Sequence, residues 1–150
     1  MVRQSVLKAL LSLSWVAALV ACASSSQIRG NTGAPPELSQ HVSAGTVVLW
    51  VPSGGTFQDA GQIARVSVAS NENVRTLVTQ LRPAATTPVQ LAVAGDNSSL
   101  TKAVTLAALG DVDGPLPMLE FTFLGSSVDA DTVRVAIEGK KGRFAFEAWP

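Results

Sequence analysis

One cysteine and one histidine in 150 residues leave little material for inorganic chemistry. A closed zinc site, an intrachain disulfide and an iron–sulfur cluster each need several such side chains, so these cofactors are excluded and no other is indicated. Charge is also scarce, at 15% of residues, and 11 basic side chains merely balance 11 acidic ones. Without an excess of clustered Lys and Arg to replace phosphate counterions, nucleic acid is not an expected partner. Tyrosine is absent and the aromatics are five Phe and three Trp, yet 47% hydrophobic residues suit a folded chain and exclude wholesale disorder. The length allows one modest domain.

No apolar run is long enough to span a bilayer, which takes about 20 residues as a helix. The run at Ala9–Ala21 has 13 residues of Ala, Leu, Val, Trp and two Ser. It follows Arg3 and Lys8 and ends in small side chains, the charged, apolar, small order of a secretory signal. At its end, Leu19-Val20-Ala21-Cys22 resembles the lipobox of bacterial lipoproteins. That resemblance implies removal of a signal peptide at residues 1–21 and Cys22 as the first mature residue, its sulfur in a thioether to diacylglycerol. Several buried acyl chains, each contributing about 0.8 kcal/mol per CH₂, anchor a protein in the lipid bilayer without spanning it. Such lipoproteins with Asp after the cysteine tend to stay in the inner membrane. Ala23 stands here, so the resemblance points to an outer-membrane lipoprotein facing the periplasm. Loss of Arg3 and Lys8 leaves a mildly acidic mature chain.

Residues 22–43 are expected to form the lipidated cysteine and a flexible tether, since Ser24-Ser25-Ser26 and Gly33-Ala34-Pro35-Pro36 lack large apolar side chains. About 20 such residues give a mean reach of about 25 Å. His41, at the end of the tether, reads as an exposed linker histidine.

The globular domain is expected over residues 44–150. Thr46 to Val51 is β-branched and aromatic and stops at Pro52-Ser53-Gly54-Gly55, so it reads as a strand. Ile63 to Ala69 alternates and reads as a second strand, paired antiparallel with the first. Val74, Leu77, Val78 and Leu81 then fall on a helical stripe, with Asn71 or Asn73 as cap and Pro83 as stop. Pro88 to Ala94 alternates again. Leu100, Ala103, Val104, Ala107 and Ala108 make a second helix between the Gly95-Asp96-Asn97 turn and Gly110. Met118 to Leu124 is a strand with Leu119, Phe121 and Phe123 inward. Asp131 to Glu138 fits two periods. A strand with Val133, Val135 and Ile137 inward is expected, joined through Gly139-Lys140-Lys141-Gly142 as a hairpin to Arg143–Trp149. The fold class is therefore α+β, a single small domain with a mostly antiparallel sheet and two helices packed on it. The alternative is α/β: a third helix at 131–138 would make the tail a strand–helix–strand repeat of Val89–Leu124, with Pro88/Pro117 and Gly95/Gly125 in matching places, and hence a parallel sheet.

No constellation demands catalysis. Asp111-x-Asp113-Gly114 lacks the later bidentate Glu of a calcium loop and reads as an acidic turn. Asp129 and Asp131 read as solvated loop carboxylates. Phosphate-loop glycine patterns and a serine elbow are absent, and a serine nucleophile would have only His41 to activate it. No catalytic, cofactor-binding or metal residue is assigned, and the chain is not expected to be an enzyme. Lys140, Lys141, Arg143 and Trp149 form a candidate basic contact for an acidic partner or for lipid headgroups. Trp50 and Trp149 are the residues a sugar-stacking platform would use. Asn73–Val93, with Val74, Leu77, Val78, Leu81, Pro83, Thr86-Thr87 and Leu91, resembles small lipoproteins of conjugative-transfer and secretion systems. The expected function is a noncatalytic, membrane-anchored envelope adaptor or assembly component that binds a protein. The alternative is a lipoprotein that binds peptidoglycan or another glycan.

Overall fold

A computed structural model describes residues 34–66 and 71–150. The expected signal peptide, Cys22 and the first part of the expected tether lie outside the described residues, as do positions 67–69 of the strand expected at Ile63–Ala69. Four strands, β1 (Val47–Val51), β2 (Val89–Gly95), β3 (Leu119–Gly125) and β4 (Arg143–Ala148), form one sheet in the order β1-β2-β3-β4. Every neighbouring pair is parallel: Val47 lies opposite Leu91, Leu91 opposite Phe121, and Phe121 opposite Phe144. The connections are helical: α1 (Thr56–Val66) and α2 (Glu72–Leu81) between β1 and β2, α3 (Ser98–Gly110) before β3, and α4 (Ser127–Gly139) before β4.

The residues at odd register positions, Leu49, Val51, Leu91, Val93, Phe121 and Phe123, meet the helices in one core with Leu77, Leu81, Leu100, Val104, Val133 and Ile137. The opposite face carries a smaller core of Val48, Trp50, Ala92, Ala94 and Leu124, to which none of these four helices contributes. It is covered by the chain before β1. Pro36–Gln40 makes a 3-10 turn whose Leu38 is fully buried there, flanked by Ala34, Val42 and Trp149. Residues 36–40 thus pack on the sheet, ahead of residue 44.

The all-parallel α/β sheet corrects the expected antiparallel one and matches the alternative. Two elements account for the difference. Ile63–Val66, expected as strand, closes α1, and a carboxylate, Asp59, occupies a buried position on that helix's inner face. Residues 131–138, expected as strand, lie inside α4, whose buried stripe is Asp129, Ala130, Val133 and Ile137. Val135, expected inward, is 72% exposed. A parallel connection must carry the chain back along the sheet, and the 13 residues of α4, rising about 1.5 Å each, return it by about 20 Å, close to the length of the strand before it. Gly139–Gly142 is accordingly the turn from α4 into β4 and not a hairpin tip. Lys141 takes a left-handed φ of 68° there.

Two substitutions on α4 separate helix from strand by thermal melting. Val133→Asp places an unpaired charge in the core and is expected to cost several kcal/mol, while Val135→Asp changes stability by no more than about 0.5 kcal/mol. Equal, large losses would contradict the helix. On the other face, Leu38→Ala is expected to cost about 2–5 kcal/mol, as for a core leucine. A loss near zero would mean that residues 36–40 do not pack.

Candidate functional site

In a parallel sheet the loops after the strands gather at the carboxyl ends, where the helices that follow present unpaired amides. Here those loops are Pro52–Gly55, Asp96–Asn97 and Ser126, and they are knitted together by polar side chains. Asp59, only 1% exposed, accepts hydrogen bonds from Ser53 Oγ at 2.5 Å, the Gly54 amide at 2.9 Å and Asn97 Nδ2 at 2.8 Å. Asp96 Oδ2 accepts from the Ser53 amide at 3.0 Å. Asn97 also caps α3, its Oδ1 accepting from the Leu100 amide at 3.1 Å.

A second cluster adjoins it. The Ser126 amide donates to Ser98 Oγ at 2.9 Å, and Ser126 Oγ caps α4 by accepting from the Asp129 amide at 3.3 Å. Asp129, 6% exposed, pairs with Lys102 Nζ at 2.5 Å and lies 3.0 Å from Ser126 Oγ. Two glycines permit the approach. A Cβ on Gly95 would run into the Val51 carbonyl and Thr101 Oγ1, and one on Gly125 would run into Ser98 Oγ. The matching of Gly95 and Gly125 visible in the sequence therefore has a steric basis.

Both buried carboxyls titrate below the ordinary range. For Asp59, the Ser53 hydrogen bond outweighs burial, with Gly54 and Asn97 adding to it. For Asp129, burial opposes ionisation most strongly and is overcome by donors from Lys102, Ser98 and Ser126 and by the Lys102 charge. Among the described residues every buried side-chain nitrogen and oxygen has a hydrogen-bond partner. The carboxylates accordingly hold ionised, fully engaged positions that lock three loops, with no proton to exchange near neutral pH.

Asp129 and Asp131 were expected side by side in a solvated loop, but two residues along a helix turns the chain by about 200°. Asp129 faces inward to Lys102, and Asp131 faces solvent, 3.3 Å from Arg134. Asp111 and Asp113 are exposed in the turn after α3. Among the described residues no group of His, Cys, Asp and Glu converges to hold a metal ion.

The proposed contact residues do not form one patch. Lys140 is half-buried and donates to the Val112 carbonyl, Lys141 is exposed, and Arg143 pairs with Glu120 across the β3–β4 register. They sit at the start of β4. Trp149 lies beyond the other end, about 20 Å away at about 3.3 Å per residue. It stands edge-on to Trp50 at 6.2 Å and to His41 at 5.3 Å, and His41 Nδ1 is 3.2 Å from Glu147 Oε1. Trp50 is buried, so it offers no face for a sugar to stack on. A shallow cavity of about 320 Å³ at the amino ends of the strands is lined by Gln90, Met118, Glu120 and Arg143 among others. Sequence reasoning missed Asp59 and its partners. The available signal was a polar residue soon after each strand, Ser53, Asn97 and Ser126, and the capping pattern Ser126-x-x-Asp129.

No protein-family model, curated protein or solved structure matches this chain.

The locked carboxylates predict a specific acid sensitivity. A group whose pKa is lower folded than unfolded stabilises the fold fully above the ordinary carboxyl value of 3.8, and that stability is lost as pH falls through the folded value. Asp59→Asn is expected to lower stability at pH 7 by about 1.5–3 kcal/mol and to flatten the decline below pH 4. An acid titration of the variant with the same steepness as the parent would show that Asp59 is not held as described.

Proposed function

We propose that the protein is a noncatalytic adaptor or assembly component of the bacterial cell envelope, tethered at the outer membrane by acylated Cys22, that docks a protein through the open edge of β4. The observation that carries this reading is β4 itself. Along it, exposed and half-buried residues alternate from Arg143 to Glu147, and among the described residues no strand lies beyond it in the sheet. The opposite edge differs, since four of the five residues of β1 are buried. An open edge offers a row of backbone donors and acceptors that another chain can pair with, and such pairing needs no recognisable motif. The full engagement of the carboxylates at the strand ends supports a structural role for that region. Among the described residues no helix is long and apolar enough to cross a membrane, which accords with anchoring by lipid. A tether raises the effective concentration of the domain for partners in the same compartment. The contact proposed at Lys140 and Lys141 moves to the strand, because Lys140 is engaged by the Val112 carbonyl.

Two measurements test the reading. Cells expressing Cys22→Ser are expected to release the protein from salt-washed membranes, and continued sedimentation would contradict lipid anchoring. In-cell crosslinking through a photoreactive residue at exposed Ala145 is expected to trap a defined protein of the envelope, either another chain or a second copy of this one. Capture by purified peptidoglycan with no protein adduct, or turnover of a glycan, peptide or ester substrate, would overturn the adaptor reading.

A further inference from the structure

We infer that the occupant of the β4 edge is a second copy of this chain, paired antiparallel and centred on Ala145; this rests on the reading of β4 as the docking edge. The direction of the free backbone groups comes first. The Trp149 amide donates to the Gly125 carbonyl at 3.1 Å. Alternate residues of a strand turn their amides to opposite sides, so Glu147 and Ala145 face β3 while Phe146 and Phe144 point outward.

The side chains then select the partner. Arg143-Phe144-Ala145-Phe146-Glu147 reads the same in reverse except that the terminal charges exchange sign. A two-fold axis through Ala145, normal to the sheet, sets Phe144 opposite Phe146 of the second copy. Those two residues exchange backbone hydrogen bonds, because both point their amides outward. Arg143 falls opposite Glu147 of the second copy at a non-hydrogen-bonded position, where side chains approach most closely. A parallel pairing through the same edge would set outward-facing Phe144 opposite Arg143 or Ala145 of the second copy and so would not bring Arg143 opposite Glu147.

Charge on the flanks extends the match. Arg143 is paired with Glu120, and Glu147 with His41. The row across the junction would run His41, Glu147, then Arg143 and Glu120 of the second copy, with Glu147 and Arg143 as the new contact between opposite charges. On the helical face, Arg134 lies over the Phe144 ring at 5.5 Å. Asp131 and Glu138 stand three residues before it and four after it on the same side of α4. That stripe is two-signed as well, and the axis brings it against its own reversed copy. Phe144 and Phe146, each half-buried at the edge, would cover one another.

The test uses the full chain in its native membranes. Ala145 is exposed, and a non-hydrogen-bonded antiparallel pair has the Cα separation a disulfide accepts. Mild oxidation of Ala145→Cys is expected to give a covalent dimer of twice the chain mass, well above the background of the parent and of Asp113→Cys on the exposed turn after α3. Adding Arg143→Glu should lower the dimer yield about tenfold, and adding Glu147→Arg as well should restore it. Absence of the dimer, or equal yield from Asp113→Cys, overturns the inference. An adduct between the Ala145 position and a different envelope protein also overturns it, while leaving the adaptor reading in place. A dimer that traps no other protein supports the inference and reduces the function to self-assembly.

Discussion

A strand–helix–strand connection in a parallel sheet is right-handed, so a chain that places each new strand beside the last on the same side lays every connecting helix on one face. That constraint governs this molecule. The order β1-β2-β3-β4 never reverses, and so no crevice opens at a switch of strand order, the usual place for a ligand in an open α/β sheet. Among the described residues it also leaves the second face without an α-helix. Val48, Trp50, Ala92, Ala94 and Leu124 would stand in water there were it not for Leu38 and Trp149. A segment that composition marks as a linker, residues 36–40, thereby becomes part of the packed protein.

The same winding accounts for the polar network. Successive loops after β1, β2 and β3 emerge side by side at one end of the sheet, and each begins a helix whose first amides need acceptors. Ser126 and Asn97 cap, while Asp59 and Asp129 reach back to bind the neighbouring loop. An acidic, serine-rich cluster at the carboxyl end of a parallel sheet has the location of an active site. Its geometry is that of a clamp, because each buried carboxylate is already bonded by fixed donors.

Much of the fold was legible from periodicity: β1, α2, β2, α3 and β3 follow their apolar stripes, and Asn71 caps α2 as its position suggested. The two helices that differ from expectation share one feature. In α1 and α4 the inward stripe includes an aspartate, Asp59 or Asp129, where the helical pattern demands an apolar residue. Ala64, Val66 and Val68 alternate in the first segment, and in the second the β-branched side chains at every other residue, Val133, exposed Val135 and Ile137, completed a false strand. The candidate site is built on the same two helices that the alternating patterns concealed. Beside local donors, Asp59 binds Asn97 and Asp129 binds Lys102, distant contacts that only the assembled sheet brings about. The strand–helix–strand echo marked by Gly95 and Gly125 was the one signal of parallel winding, and it rests on two close approaches where no side chain fits.

The docking role proposed for this protein uses the part of the sheet that the winding leaves open. β1 is enclosed, β2 and β3 are central, and β4 ends the sheet with an edge of self-complementary charge. Residue-resolved amide hydrogen exchange on the dilute chain tests this arrangement most directly. The account predicts consecutive protection through α4, including Val135, and alternating protection along β4, with Ala145 and Glu147 slow and Phe144 and Phe146 fast. Alternating protection within residues 131–138, or equal protection of Phe144, Ala145, Phe146 and Glu147 at every concentration, would contradict it.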